Sequence, residues 1–313
     1  MSDGSTIEWL NFPGYKPASW NCIKGCTRKS RGCENCYAEV MAARFSKPGQ
    51  WGHGIAEMRG GDHRWTGRVE LVAQEKVDLP LRWRKPRCIF VNSTSDLFHE
   101  RLSVAAIHAV FSVMERCPRH VFIALTKRAE RMRSYCYAMR PLPNVVLGVS
   151  VEDRSTMHRI DDIRATAAAC RMISFEPLLE DLGKIDLTGI SWAVTGGESG
   201  PGARPMHPDW ARSIRDQCQA AGVPFFFKQW GEWVPWEEEQ IPWVKAQNGA
   251  AMDGNLLPDI NGMSNAKRWT DALLYEGDGW CIHERVGKHR AGRLLDGREW
   301  TEFPILRTDG DQQ

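Results

Sequence analysis

Six short apolar runs, each closing on a polar cluster and each followed by a helix-like stretch, narrow the folds open to this chain more than any other feature. They occupy residues 88–91, 120–125, 145–149, 171–175, 190–194 and 223–227. They are rich in β-branched and aromatic residues and apolar on both faces, the pattern of strands buried on both sides in a parallel sheet. Between them, residues 104–117, 129–139, 155–169 and Pro208–Ala221 read as helices, with Pro208 suited to a first turn and Gly222 just past the end. Spacings of about 20–35 residues fit βα units. Weaker strand signals stand at 7–9 and 69–72. The expected fold is therefore α/β, a full or partial (β/α) barrel, with a doubly wound open sheet as its rival.

Past about residue 230 the periodicity stops and Trp, Glu, Gly and Asn dominate. The expected division is a barrel-like domain over 1–232 and a C-terminal extension of loops and short strands over 233–313. Asp296-Gly297 reads as a tight hairpin turn, and a lid over the barrel mouth is consistent with the position of the Trp-rich segment 231–280. Trp83, Trp192, Trp210 and Trp230 read as core or helix–sheet contacts. With 313 residues, 42% hydrophobic and 26% charged, the chain can fill a large core and is not globally disordered. No apolar run is long enough to span a membrane, and the first residues carry no signal pattern, so a cytoplasmic setting is expected. A net charge of +2 neither demands nor forbids a nucleic-acid partner.

In parallel α/β folds chemistry collects at the carboxyl ends of strands. Here those ends carry Asp96, Lys127, Arg128, Glu152, Asp153, Glu176, Glu198 and Lys228, which would converge on one polar cavity. Asp96, Lys127, Glu176 and Lys228 are the candidate catalytic groups. Residues 196–202 hold four glycines in seven positions, which permits close backbone approach to a ligand, or simply a tight turn. His99 and His207 follow strand ends and are within reach of the cavity. Arg82-Trp83-Arg84-Lys85 and Lys288-His289-Arg290 with Arg293 are basic patches of the type that contacts phosphates, or are solvated surface.

Ten cysteines are present, and four of them, Cys22, Cys26, Cys33 and Cys36, share one window spaced C-x3-C-x6-C-x2-C. The remaining six are scattered, so a secreted disulfide framework does not fit. Gly25 and Gly32 each precede a cysteine. Arg28, Lys29 and Arg31 lie between and should lower the thiol pKa values. Trp20 could cap a cluster from solvent. Four thiolates would close a structural zinc site; three would hold a [4Fe–4S] cluster with one iron open. Buried spectator thiols and a metal-free redox pair are further readings.

The string Trp20-Asn21, Gly25-Cys26-Thr27, Gly32-Cys33 and 35–39 resembles the phage Gp37/Gp68-like family of three-Cys-motif proteins. Matching blocks continue at 92–100, 125–128, 147–153, 175–179, 196–206, 225–233 and 292–300. In that family a Pro usually follows the first Trp-Asn, where Cys22 stands here. The resemblance therefore implies Cys26, Cys33 and Cys36 as the ligands and makes Cys22 an additional thiol.

The loop also resembles that of radical SAM enzymes, which implies a (β/α) barrel with the cluster loop after the first strand. It departs from their usual C-x3-C-x2-C spacing, and Gly196-Gly197-Glu198 comes several strands later than their Gly-Gly-Glu motif. The implied cofactors are a [4Fe–4S] cluster and S-adenosylmethionine, with zinc as the alternative. The implied chemistry is hydrogen abstraction from substrate by a 5′-deoxyadenosyl radical. Glu152, Asp153, Gly196, Gly197 and Glu198 are the implied cofactor contacts, with Glu176 a further one, and Lys127, Arg128 and Lys228 would hold an anionic substrate. A phage setting suggests a nucleic acid or nucleotide as substrate, in the host cytoplasm, with an electron donor and a partner protein as further expected partners. The alternative function is a zinc-bearing nucleic-acid-binding or adaptor protein.

Overall fold

The computed structural model describes residues 4–235, 272–276 and 280–306. Its elements run in chain order as β1 (Lys16–Trp20), β2 (Ile23–Lys24), α1 (Tyr37–Arg44), β3 (Ala56–Arg59), β4 (Asp62–Trp65), β5 (Glu70–Leu71), α2 (Gln74–Val77), β6 (Arg87–Val91) and α3 (Val104–Glu115). There follow β7 (Val121–Thr126), α4 (Ala129–Cys136), β8 (Val145–Ser150), α5 (His158–Arg164), β9 (Cys170–Phe175), β10 (Trp192–Gly196), α6 (Pro208–Ala221) and β11 (Phe225–Gln229). The last part contributes β12 (Trp233–Pro235), β13 (Ala272–Glu276), β14 (Trp280–Arg285), α7 (Lys288–Ala291), β15 (Leu294–Leu295) and β16 (Arg298–Glu299).

Seven strands form one parallel sheet in the order β1-β6-β7-β8-β9-β10-β11. A doubly wound sheet reverses its strand order at a switch point. This one never does, so the sheet is a partial barrel, curled and open between β1 and β11. Successive residues alternate between two cores. Ile89, Phe122, Ala124, Leu147, Ile173, Phe225 and Phe227 face the outer helices. Cys88, Val121, Ile123, Val146, Met172, Trp192 and Phe226 fill the concave side. Burial on both faces is why these strands read as continuous apolar runs.

The segment at 7–9 is not a strand. Glu8–Leu10 is a single 3₁₀ turn, and it drives Trp9 and Leu10 into the concave core beside Phe12. The first barrel strand is β1 instead. The 69–72 signal is the two-residue β5, paired antiparallel with β2. The helix expected over 155–169 is shorter: a 3₁₀ turn, Arg154–Thr156, capped by Asp153, precedes α5. Pro208 and Gly222 stand where expected, Gly222 in the left-handed conformation (φ 66°) that ends α6. Trp192, Trp210 and Trp230 are buried.

The free edge of β11 is covered by the tail. Phe227 N–H donates to Trp300 O at 2.9 Å and Glu302 N–H to Phe225 O at 3.2 Å. Phe303 completes an aromatic cluster with Phe12, Trp192 and Phe226. Edge strands left open invite pairing with other chains; here the tail takes that place. A second sheet, β12-β14-β13, is antiparallel. The stretches 236–271 and 277–279, which make up most of the segment in which a lid was expected, lie outside the described residues. Among the described residues no helix is long and apolar enough to cross a membrane.

Candidate functional site

Because the seven strands are parallel, their carboxyl ends share one face, and the charged strand-end residues meet there in pairs. Arg128 bonds Asp96 at 3.0 Å and Glu100 at 2.7 Å. Lys127 and Arg159 both reach Glu152, the latter at 2.9 Å. Lys228 reaches Glu176 at 2.9 Å, and Arg204 reaches Glu198 at 2.7 Å. Burying an isolated charge is costly, so neutralisation within the ring is what lets it sit there.

The chain leaves β1 and lays residues 21–36 over this face. Ser30 Oγ donates to Glu152 Oε1 at 3.0 Å, and Asn35 Nδ2 donates to Glu198 Oε2 at 3.0 Å. Arg204 Nη2 donates to Arg31 O at 3.0 Å while its Nη1 meets Glu34 at 2.6 Å. Arg128 Nη2 donates to Thr27 O at 3.1 Å, and Thr27 Oγ1 meets His99 Nε2 at 2.8 Å. Tyr37 O–H donates to Ser93 O. Gly32 is pressed on Glu152: a Cβ there would stand 2.7 Å from Glu152 Cγ. Gly25 has φ 82°, and a Cβ would fall 1.9 Å from Arg68 O. The loop needs both glycines for close contact.

Three thiols of this loop feel one another. Cys26 is pushed up to about 12 by burial and by Asp96, with Arg128 opposing and Cys33 and Cys36 adding to the rise. Cys36 is raised by burial, offset by backbone N–H groups of Glu39 and Ala38 at the start of α1. Cys33 Sγ accepts the Lys29 N–H at 3.4 Å. Burial pulls Lys127 down, and Cys33 and Cys36 oppose it. Arg159 is likewise pulled down by burial, with Cys33 opposing. Each thiol thus has a cation or N–H donor at hand to offset a thiolate. Among the described residues no three His, Cys, Asp or Glu side chains close on one ion position. The thiols are coupled without being drawn onto a single point.

The expected lowering by Arg28, Lys29 and Arg31 does not appear at Cys26 or Cys36. Arg28 pairs with Glu39 at 2.6 Å, Lys29 with Glu100 at 3.2 Å, and Arg31 lies near Asp153 and Glu180. Those charges are committed elsewhere, and burial wins. Trp20 does not cap the thiols either: it is fully buried in the outer core and donates from Nε1 to Lys76 O at 3.0 Å. Cys22 also belongs to that outer core, its Sγ 3.4 Å from Asn92 Oδ1. Asn92 holds this corner in a left-handed conformation (φ 61°), with Oδ1 accepting the Cys22 and Ile23 N–H groups at 3.0 Å.

The remaining predicted residues divide by exposure. Glu152, Asp153, Asp96 and Glu198 have side chains 0%, 2%, 8% and 5% exposed. They anchor the loop, cap a turn, or position Arg128. Lys127 and Lys228 keep 20% of their side chains exposed and Glu176 14%. Ser174 Oγ donates to Glu176 at 3.2 Å. Strand alternation puts Ser174 and Lys228 on the concave face, one layer beyond the apolar plug. Burial lowers Lys228, but the Glu176 carboxylate outweighs it and holds the amine charged above its ordinary value. Tyr37 stands at this opening, half exposed, with its O–H held by Ser93 O.

Gly196 and Gly197 make room for protein. A Cβ on Gly196 would meet Glu176 Oε1 at 2.7 Å, and one on Gly197 would meet Trp230 O at 1.9 Å. His99 is tied to the loop through Thr27, whereas His207 caps α6, its Nδ1 accepting the Asp209 N–H at 3.2 Å.

A family described as "Protein of unknown function (DUF5131)" matches this chain over residues 4–304. The chain belongs to this family. No curated protein and no solved structure matches it. In this family member Arg159, Arg204, Asn35, Ser30 and Thr27 are as central to the site as the residues sequence reasoning picked out. Their signal was weak, since Arg159 sits in a helix and Arg204 in a loop, and only the tertiary fold brings their carboxylate partners near. The motif 196–206, noted for its glycines, contains Arg204 as well.

Proposed function

We propose that this protein is a radical-SAM-like iron–sulfur enzyme whose cluster is held by Cys26, Cys33 and Cys36. The observation that carries the reading is the placement of three thiols, Cys26, Cys33 and Cys36, on the loop that follows the first strand of a parallel partial barrel and is tied across the carboxyl ends of its strands. The donor set suits the group: three thiols leave one iron without a protein ligand, and Arg128, Lys127, Arg159 and the first N–H groups of α1 offset the added negative charge. A bound cluster of this kind supplies one-electron reduction of S-adenosylmethionine to a carbon radical.

The chain's own part is placement. Among the described residues, Lys127, Glu176, Lys228 and Tyr37 are partly exposed polar groups at the opening, and they orient a substrate. The apolar plug of Trp9, Leu10, Phe12, Trp192 and Phe226 closes the barrel below them and excludes water. Glu152, Glu198, Arg159 and Arg204 hold the loop in register. A nucleic acid or nucleotide is the substrate class that the resemblance to phage proteins favours, and an electron donor is the required partner.

The test is iron and sulfide content with electron paramagnetic resonance on anaerobically purified protein. About four irons and four sulfides per chain, and a spectrum that changes on adding S-adenosylmethionine, are expected. One zinc per chain with no iron overturns the reading.

A further inference from the structure

The amino ends of β1, β6 and β7 form the face opposite the cysteine loop, and its charge is not balanced as the mouth is. Arg82, Arg84 and Lys85 precede β6, and Arg116 and Arg119 precede β7; all five are exposed. Among the described residues their side chains make no ion pair or hydrogen bond. Arg128, Arg133, Arg154, Arg159, Arg204 and Arg212, by contrast, are each paired with a carboxylate. The nearby acids are few. Glu115 is exposed at the end of α3, Glu75 lies in α2 and Asp78 follows it, with Asp78 accepting from Gln74 at 2.9 Å.

The two arginine-bearing segments are held together rigidly. Asn144 Nδ2 donates to Met114 O, Cys117 O and His120 O at 3.0, 3.1 and 3.1 Å, which fixes the turn carrying Arg116 and Arg119. His120 Nε2 meets Pro80 O at 3.2 Å, and its ring lies edge-on to Trp83 with centroids 6.1 Å apart. The Arg87 guanidinium lies over Trp83, 4.6 Å from the ring centroid, behind the exposed row. Trp83 is thereby used in packing and leaves no free stacking platform. The row offers guanidinium forks on a fixed frame, which suits phosphodiester oxygens and carries no base readout.

We propose that this amino-end rim, through Arg82, Arg84, Lys85, Arg116 and Arg119, docks the phosphate backbone of a nucleic-acid duplex without regard to sequence. The docking is independent of the metal and of the chemistry at the mouth. Fluorescence anisotropy with two short labelled DNA duplexes of different sequence, read over a series of salt concentrations, tests it. Both duplexes bind the parent protein alike, with affinity falling steeply as salt rises. In the variant Arg82→Ala/Arg84→Ala/Arg116→Ala/Arg119→Ala binding weakens on the order of a hundredfold, and the log–log salt slope shrinks by up to about 0.9 per contact removed. Among the described residues these side chains have no ion-pair or hydrogen-bond partner, so thermal unfolding of the variant stays at the parent's temperature and reports that it is folded. Equal affinity and slope for variant and parent overturn the proposal. So does binding of poly-glutamate, but not of duplex, that is lost in the variant, because it assigns the rim to an acidic protein.

Discussion

Asn35 donates its side-chain N–H to Glu198 at 3.0 Å, tying the end of the cysteine loop to the end of β10. The same carboxylate oxygen accepts the backbone and side-chain N–H groups of Arg204, both at 2.9 Å. One buried carboxylate therefore aligns two strand-end loops. Removing one partner of a buried ion pair leaves the other uncompensated. Glu198→Ala is expected to cost about 3–5 kcal/mol in urea unfolding and to speed proteolytic cleavage within residues 26–36. A variant with parent stability and an equally resistant loop would show that the contact is incidental.

The cysteines separate into two classes that mutation can distinguish. If these three thiols hold the proposed cluster, Cys26→Ala, Cys33→Ala and Cys36→Ala each lose most of the iron that the parent protein carries. Cys22 lies in the outer core, so on the same reading Cys22→Ala carries as much iron as the parent and loses about 1 kcal/mol of stability from the small void. Iron loss in Cys22→Ala equal to the other three moves this thiol into the ligand set.

Gly197 marks where two backbones touch. An added methyl would lie 1.9 Å from Trp230 O, and backbone cannot yield as a flexible side chain does. Gly197→Ala is expected to destabilise the fold by about 3 kcal/mol, whereas Gly297→Ala, with open space around it, costs only the strain of its φ of 71°. Thermal unfolding of the pair compares the two effects directly, and equal losses would contradict the crowding at Gly197.

His99 makes the loop's attachment sensitive to acid. Nδ1 accepts the Arg101 N–H at 3.1 Å, so Nε2 carries the proton toward Thr27 Oγ1. Burial, and then Arg128, pull its pKa from 6.5 to about 4. The unfolded chain takes up the proton first. His99 therefore contributes its full stability above about pH 6.5, and that contribution is lost as pH falls toward 4. His99→Gln is expected to flatten the urea-stability profile over this window by on the order of 2 kcal/mol. An unchanged slope would place the acid sensitivity elsewhere.

The fold was legible wherever a strand is buried on both faces, because continuous apolar runs such as 145–149 and 223–227 admit few other readings. β1 escaped notice because Pro17 and Ser19 interrupt it. Pro is tolerated there because β1 is the sheet's edge strand. Residues 7–9 misled because a single 3₁₀ turn can bury Trp9 and Leu10 as well as a strand can. The strand-end charges were readable as a set, but their division of labour was not. Nothing local distinguishes Glu152, enclosed by Lys127, Arg159 and Ser30, from Glu176, which still faces solvent. That difference depends on which helix and loop residues arrive from far along the chain.

The tail strand across β11 has a consequence for biosynthesis. A ribosome releases all seven parallel strands before it releases residues 300–303. During that interval Phe225 and Phe227 present unpaired backbone groups to solvent or to a chaperone. The half-barrel emerges from its first strand to its last, and the latch is fitted only after every strand of the sheet is available.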